Sequence, residues 1–90
     1  MRVETILNYM NDGTSVSFLL KKISSEDDFS GFSFIVILTT IINVFRDNGF
    51  SVNEKELRKS IKIIPKEELG DLKREVLLRD FKKILVNKKV

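Results

Sequence analysis

Apolar residues recur along this chain at helical spacing, in four or five blocks separated by polar turns. Val3, Ile6, Leu7 and Met10 stand at i, i+3, i+4 and i+7, which predicts a first amphipathic helix that stops at Asn11-Asp12-Gly13. Val16, Leu19, Leu20 and Ile23 then fit a helix begun by Thr14 or Ser15. The alternation Val16, Phe18, Leu20 would also suit a strand, and helix is the preferred reading. Ser24-Ser25-Glu26-Asp27-Asp28 is acidic, either a linker or the negatively charged start of the next helix.

The block FSFIVILTTIINVF (Phe32 to Phe45) is the most apolar of all. Its β-branched residues favour a strand, but fourteen residues without a turn exceed an ordinary strand of about 5–6 residues. As a helix, Phe34, Leu38, Ile41 and Phe45 form one stripe, flanked by Ile35 and Ile42 and widened by Ile37 and Val44. Thr39, Thr40, Asn43, Arg46 and Asp47 make a narrow polar wedge opposite. So wide an apolar face needs cover on more than one side. No charge falls between Phe29 and Phe45, a run at the lower edge of the roughly 17–25 residues that span a bilayer. Hydroxyl residues, Asn43 and Gly31 dilute it, so a core helix is expected instead.

Asp47-Asn48-Gly49 closes that helix. The next opens on overlapping caps, Ser51 with Glu54 and Asn53 with Glu56, and carries Leu57, Ile61 and Ile64 on one face. Pro65 ends it or opens its successor; Pro65-Lys66-Glu67-Glu68 suits a first turn, while Gly70-Asp71 would delay the start to Leu72. The last helix bears Leu72, Val76, Leu77, Leu78, Phe81, Ile84 and Leu85 and ends at Asn87-Lys88-Lys89. The expected fold is all-α, a bundle of three to five helices. Residues 1–28 form an N-terminal helical segment and 29–90 a helical dimerisation core. With two consecutive wide faces in a short chain, an intertwined homodimer is expected. Phe34, Ile37, Leu38, Ile41, Val44, Phe45, Leu77, Phe81, Ile84 and Leu85 would form its core or interface, with Ile37 and Val44 reaching the second subunit.

Composition narrows the chemistry. The 90 residues contain no cysteine and no histidine, which removes disulfides, thiolate sites and the usual neutral-pH proton shuttle. The carboxylates fall at helix starts or beside lysines, where caps and solvated ion pairs explain them. No catalytic, cofactor or metal residue is expected, and no small-molecule substrate. The N-terminus does not read as a secretory signal, and a cytoplasmic protein is expected. Charge is asymmetric: residues 1–45 hold three basic and five acidic side chains, residues 46–90 thirteen and eight. Lys55, Arg58, Lys59 and Lys62 form a stripe on one helix, and Lys73, Arg74, Lys82 and Lys83 a cluster on the last. Both are candidate contacts to nucleic acid or to an acidic protein. Against nucleic acid, Glu54 and Glu56 interleave the stripe and no recognition-helix motif stands out.

From Leu38 to Leu85 the order of features resembles the YmgB/AriR family of small regulatory proteins, connectors of biofilm development and two-component signalling in enterobacteria. The hydrophobic helix VILTTIINVF is followed by Gly49 and then Val52, Asn53 and Lys55. Leu57, Ser60 and Ile61 mark the next helix, and Leu72, Lys73, Glu75, Val76 and Leu77 open the last. Pro65 departs from the family pattern, and the first thirty or so residues have no counterpart in it. The resemblance implies an all-α homodimer without enzymatic activity, acting in biofilm, stress or acid-resistance regulation through a signalling or transcription-regulatory protein. DNA binding is the alternative.

Overall fold

The apolar blocks fold as helices along their 3.6-residue periods, and α2, α3 and α4 open on the side-chain caps Ser15, Ser33 and Asn53. The computed structural model describes residues 2–10 and 14–86, all of whose regular structure is helical. In chain order these are α1 (Val3–Tyr9), α2 (Val16–Ser24), a 3₁₀ turn (Asp27–Phe29), α3 (Phe34–Asp47), α4 (Glu54–Ile63), α5 (Lys66–Leu69) and α6 (Arg74–Val86). The expected stops at Asn11-Asp12-Gly13 and Asn87-Lys88-Lys89 lie outside the described residues. No helix among the described residues is long and apolar enough to cross a membrane.

The ambiguous second block is a helix. Ser15 is its N-cap, accepting from the Phe18 amide at 3.2 Å. Burial of Val16, Leu19, Leu20 and Ile23 follows the 3.6-residue period, whereas Phe18, which a strand would place beside Val16 and Leu20, is half exposed. The acids at 26–28 do not start α3. Glu26 caps a separate 3₁₀ turn, and their side chains reach back to α1: Asp28 accepts from the Thr5 hydroxyl at 2.6 Å and Glu26 from the Tyr9 hydroxyl. α3 begins instead at Ser33, whose hydroxyl accepts from the Val36 amide.

The end of α3 follows from Gly49. At φ 76° it occupies the left-handed region, the Gly49 amide donates to the Arg46 carbonyl and the Phe50 amide to the Phe45 carbonyl at 2.9 Å. That paired pattern satisfies orphan carbonyls, and the accompanying apolar contact is the Phe45–Phe50 ring pair, 5.8 Å between centroids. For α4, Asn53 is the cap that forms, its side chain accepting from the Glu56 amide at 2.8 Å. The overlapping Ser51–Glu54 box does not form, because Glu54 turns to cations on α4 and α6. Both readings of Pro65 hold in part. A single turn, α5, follows the proline and stops at Gly70 (φ 55°, ψ −123°), and α6 starts afresh at Arg74 rather than Leu72.

α2, α3, α6 and α4 pack in a closed ring, each against the next, and α1 lies over α2 and α3. One apolar cluster fills the ring, running from Ile6 through Leu19, Leu38, Ile41 and Leu57 to Phe81, so that it crosses residue 28. α4 and α6 run antiparallel: Glu54 at the start of α4 meets Lys82 late in α6, and Ile61 near the end of α4 meets Arg74 at the start of α6. Two helix starts receive a carboxylate from elsewhere in the fold. Glu56 of α4 accepts from the amide and hydroxyl of Ser17 in the first turn of α2, at 2.9 and 2.8 Å. Glu68 of α5 accepts from the Ile35 amide in the first turn of α3, at 3.2 Å. These join helices distant in sequence and meet first-turn amides that have no partner within their own helix.

The wide apolar face of α3 is covered by its own chain. Ile37, Leu38, Ile41, Ile42, Val44 and Phe45 are all buried, as are Leu77 and Phe81 of α6, while Phe34, Ile84 and Leu85 are half-buried. Ile37 and Val44, expected to reach a second subunit, are 1% and 5% exposed in the single chain, since α1, α2 and α6 all pack on α3. The polar wedge closes on its own helix: the Thr39 and Thr40 hydroxyls donate to the Ile35 and Val36 carbonyls, and the Asn43 amide to the Thr39 carbonyl. The radius of gyration, 12.4 Å, matches the roughly 12 Å expected of a compact monomer this long.

A candidate anion-docking face on α4 and α6

The core-facing residues of α4 (Leu57, Ser60 and Ile61) leave the opposite side of the helix to Lys55, Arg58, Lys59 and Lys62. On α6, burial of Leu77, Leu78 and Phe81 likewise leaves Arg79, Lys82 and Lys83 outside. Because the two helices are antiparallel neighbours, these rows lie side by side. The sequence separates them by at least sixteen positions; the fold places them on one face.

A line of ion pairs runs between the rows. Glu54 accepts from Arg58 at 3.1 Å and pairs with Lys82, and Arg58 also reaches Glu75 on α6 at 2.6 Å. The hydrogen bond from Lys82, helped by that from Arg58, holds the Glu54 carboxyl below its ordinary value. Glu75 and Glu54 in turn raise the Arg58 guanidinium. All four side chains are about half exposed or more, so these pairs contribute little stability individually and serve chiefly to fix side-chain directions. Lys55, Lys62, Arg79 and Lys83 form no ion pair with a described residue.

The face therefore carries seven basic side chains against the carboxylates of Glu54 and Glu75, a net of +5, in a chain whose total is +3. The rest of the molecule is left net negative. A recess of about 290 Å³ is lined by Lys55, Arg58, Lys59 and Lys62 of α4 alone, and two further shallow recesses interrupt the face. One, about 200 Å³, lies between the helices with Ile61 and Leu78 as its apolar floor and Arg58, Lys62 and Arg74 around it. The other, about 420 Å³, is lined by Arg79, Lys82, Lys83 and Val86, whose side chain is 80% exposed. The arrangement can attract an anionic surface, and Val86 is an exposed apolar side chain beside it.

Of the basic residues singled out in the sequence, Lys55, Arg58, Lys59, Lys62, Lys82 and Lys83 are brought together here. Lys73 is exposed in the turn before α6. Arg74 is turned inward, its guanidinium donating to the Ile61 carbonyl at 2.6 Å in the last turn of α4, a helix-capping position. Arg79 and Val86 were missed. Arg79 stands three and four positions before Lys82 and Lys83, a spacing that places it on the same side of a helix. Val86 closes the apolar run Ile84-Leu85-Val86, and nothing in that run marks it as the exposed member.

A separate recess, about 400 Å³, lies where α2 and α4 begin, lined by Met10, Phe45, Phe50 and Val52 and by Ser15, Asn53 and Glu56. Burial pushes the Glu56 carboxyl up, but the Ser17 amide and hydroxyl, with Lys59 nearby, more than offset this and hold it below its ordinary value. No group of His, Cys, Asp or Glu among the described residues could hold a metal ion. No protein-family model matches the chain, and no curated protein and no solved structure is significantly similar to it.

Proposed function

We propose that this protein is a small non-enzymatic regulatory module that docks an acidic partner protein on the α4–α6 face. The observation that carries the reading is the concentration of +5 on one face of a chain whose total is +3. Such polarity steers an anionic partner toward one orientation and speeds its encounter. One feature favours protein over nucleic acid: the exposed Val86 matches an apolar side chain better than a phosphate. The regulatory role accords with the resemblance to YmgB/AriR connectors. The unit we propose is the single chain, because Ile37 and Val44 of α3, the residues expected to reach a second subunit, are buried within it.

The test compares affinity capture by the wild type with capture by a K55E/K59E/K62E variant, with and without nuclease. Retention of a defined acidic protein that survives nuclease and is lost on charge reversal is the expected result. Retention that nuclease abolishes, with a duplex-DNA gel shift at ~50 mM salt that the reversal removes, would give the face to nucleic acid instead.

A further inference from the structure

The first turn of α4 carries two carboxylates, and the fold directs them differently. Glu56 turns toward α2, where the Ser17 amide and hydroxyl hold it. Glu54 turns onto the basic face, accepting from Arg58 one turn on at 3.1 Å and pairing with Lys82 across on α6. Arg58 is also held by Glu75 at 2.6 Å. A helix start favours an acid at position 54, but it does not account for a side chain that reaches across to α6. Each of the three recesses on the face includes one of the two cations that Glu54 holds. Lys82 lines the one of about 420 Å³, and Arg58 lines those of about 200 and 290 Å³. An acidic group settling in any of them therefore meets a cation already paired with Glu54. The side chains of Glu54, Arg58 and Lys82 are 46–47% exposed, so an incoming carboxylate can reach both cations. Exposed pairs of this kind are weak enough to be exchanged for another partner.

We infer that Glu54 is an internal competitor for the partner's carboxylates: it occupies Arg58 and Lys82 in the free protein and releases them when an acidic partner docks. This rests on the reading of the face as an acidic-protein dock and adds what sets its selectivity. A sparsely acidic surface meets Lys55, Lys62, Arg79 and Lys83, which form no ion pair with a described residue. A densely acidic one also displaces Glu54 and gains two further cations. Glu54 thereby raises the density of acid that a partner must offer, a form of selection by built-in repulsion. Glu75, 72% exposed and bonded to Arg58 alone among the described residues, is the lesser competitor.

Fluorescence anisotropy of the full chain at ~0.1 M salt tests this with a labelled peptide of about sixteen residues, three in four of them Glu. Glu54→Gln should tighten binding about threefold to tenfold, because two exposed cations are released. Asp27→Asn removes the same charge from the 3₁₀ turn, away from both helices, and should change binding less than about twofold, because salt screens charges that make no direct contact. In an R58Q/K82Q background, Glu54→Gln should lose its gain. K55E/K62E should weaken binding at least about tenfold. In ¹⁵N-labelled wild type, the Arg58 Nε–H signal should shift as the peptide saturates, a readout that needs no substitution. Equal effects of Glu54→Gln and Asp27→Asn, a gain that survives in R58Q/K82Q, or an unmoved Arg58 signal would overturn the competitor. The acidic dock would then still stand if K55E/K62E weakened binding. No peptide binding, binding that K55E/K62E leaves unchanged, or preference for a duplex DNA of about 16 base pairs would overturn both.

Discussion

Removing the Glu56 side chain should destabilise the fold more than its position at the edge of a surface helix suggests. In Glu56→Ala the Ser17 amide and hydroxyl lose their shared acceptor, which they now approach at 2.9 and 2.8 Å, and Ser17 is only 7% exposed. Hydrogen bonds to a charged group contribute about 1.5–3 kcal/mol, and leaving a buried donor unpaired costs a similar amount. A first-turn carboxylate also stabilises α4 itself by roughly 0.3–1 kcal/mol. The expected loss is about 2–3 kcal/mol, which for a domain this small lowers Tm on the order of 10–20 °C. Urea unfolding followed by circular dichroism measures it directly. Ser17→Ala keeps the amide bond and should cost less, about 1 kcal/mol. The pH dependence provides a second check. The Glu56 carboxyl is held below its ordinary 4.5, so its stabilisation is fully present above that value and is lost as pH falls through the lower folded-state value. The gap between wild type and Glu56→Ala should therefore be full at pH 7 and shrink below about pH 4.5. A variant within ~0.5 kcal/mol of wild type at pH 7, or a gap that persists unchanged to pH 3, would refute the idea that this carboxylate joins α2 to α4.

Ile41→Ala opens a cavity at a fully buried site in the centre of α3 and should cost about 2–5 kcal/mol in the same urea assay. Gly70→Ala meets no steric neighbour, yet its backbone at φ 55° and ψ −123° strains any side chain; a loss of about 1–3 kcal/mol is expected, and a neutral result would mean that the turn relaxes freely. Asp28, held below its ordinary value chiefly by the Thr5 hydroxyl, ties the 3₁₀ turn to α1, so Asp28→Asn should speed hydrogen exchange of α1 amides while leaving α4 and α6 unchanged. A K55E/K62E variant should unfold within ~0.5 kcal/mol of wild type, because both side chains are exposed and form no ion pair with a described residue; a large loss would assign them a structural role instead.

Local sequence determined the elements. Periodicity placed α2, α3, α4 and α6, and the caps at Ser15 and Asn53 and the turn at Gly49 act where short-range chemistry puts them, because a cap needs only neighbours three residues away. The limits of α5 and α6 were less legible, since Pro65, Gly70 and Asp71 each permit a break, and the choice depends on what the flanking helices bury. Tertiary structure alone decided which faces were covered. The apolar breadth of α3 reads equally well as a need for a second subunit or for three neighbours in the same chain, and the ring of α2, α3, α6 and α4 with α1 above supplies the neighbours. It also decided which charges remain available. Arg58, Arg74 and Lys82 look alike in sequence to Lys55 and Lys83, but their partners Glu75, the Ile61 carbonyl and Glu54 lie 13 to 28 positions away. A pattern of helix periods sets which residues share a face; it cannot specify which face another helix will meet, because that depends on the antiparallel pairing of α4 with α6.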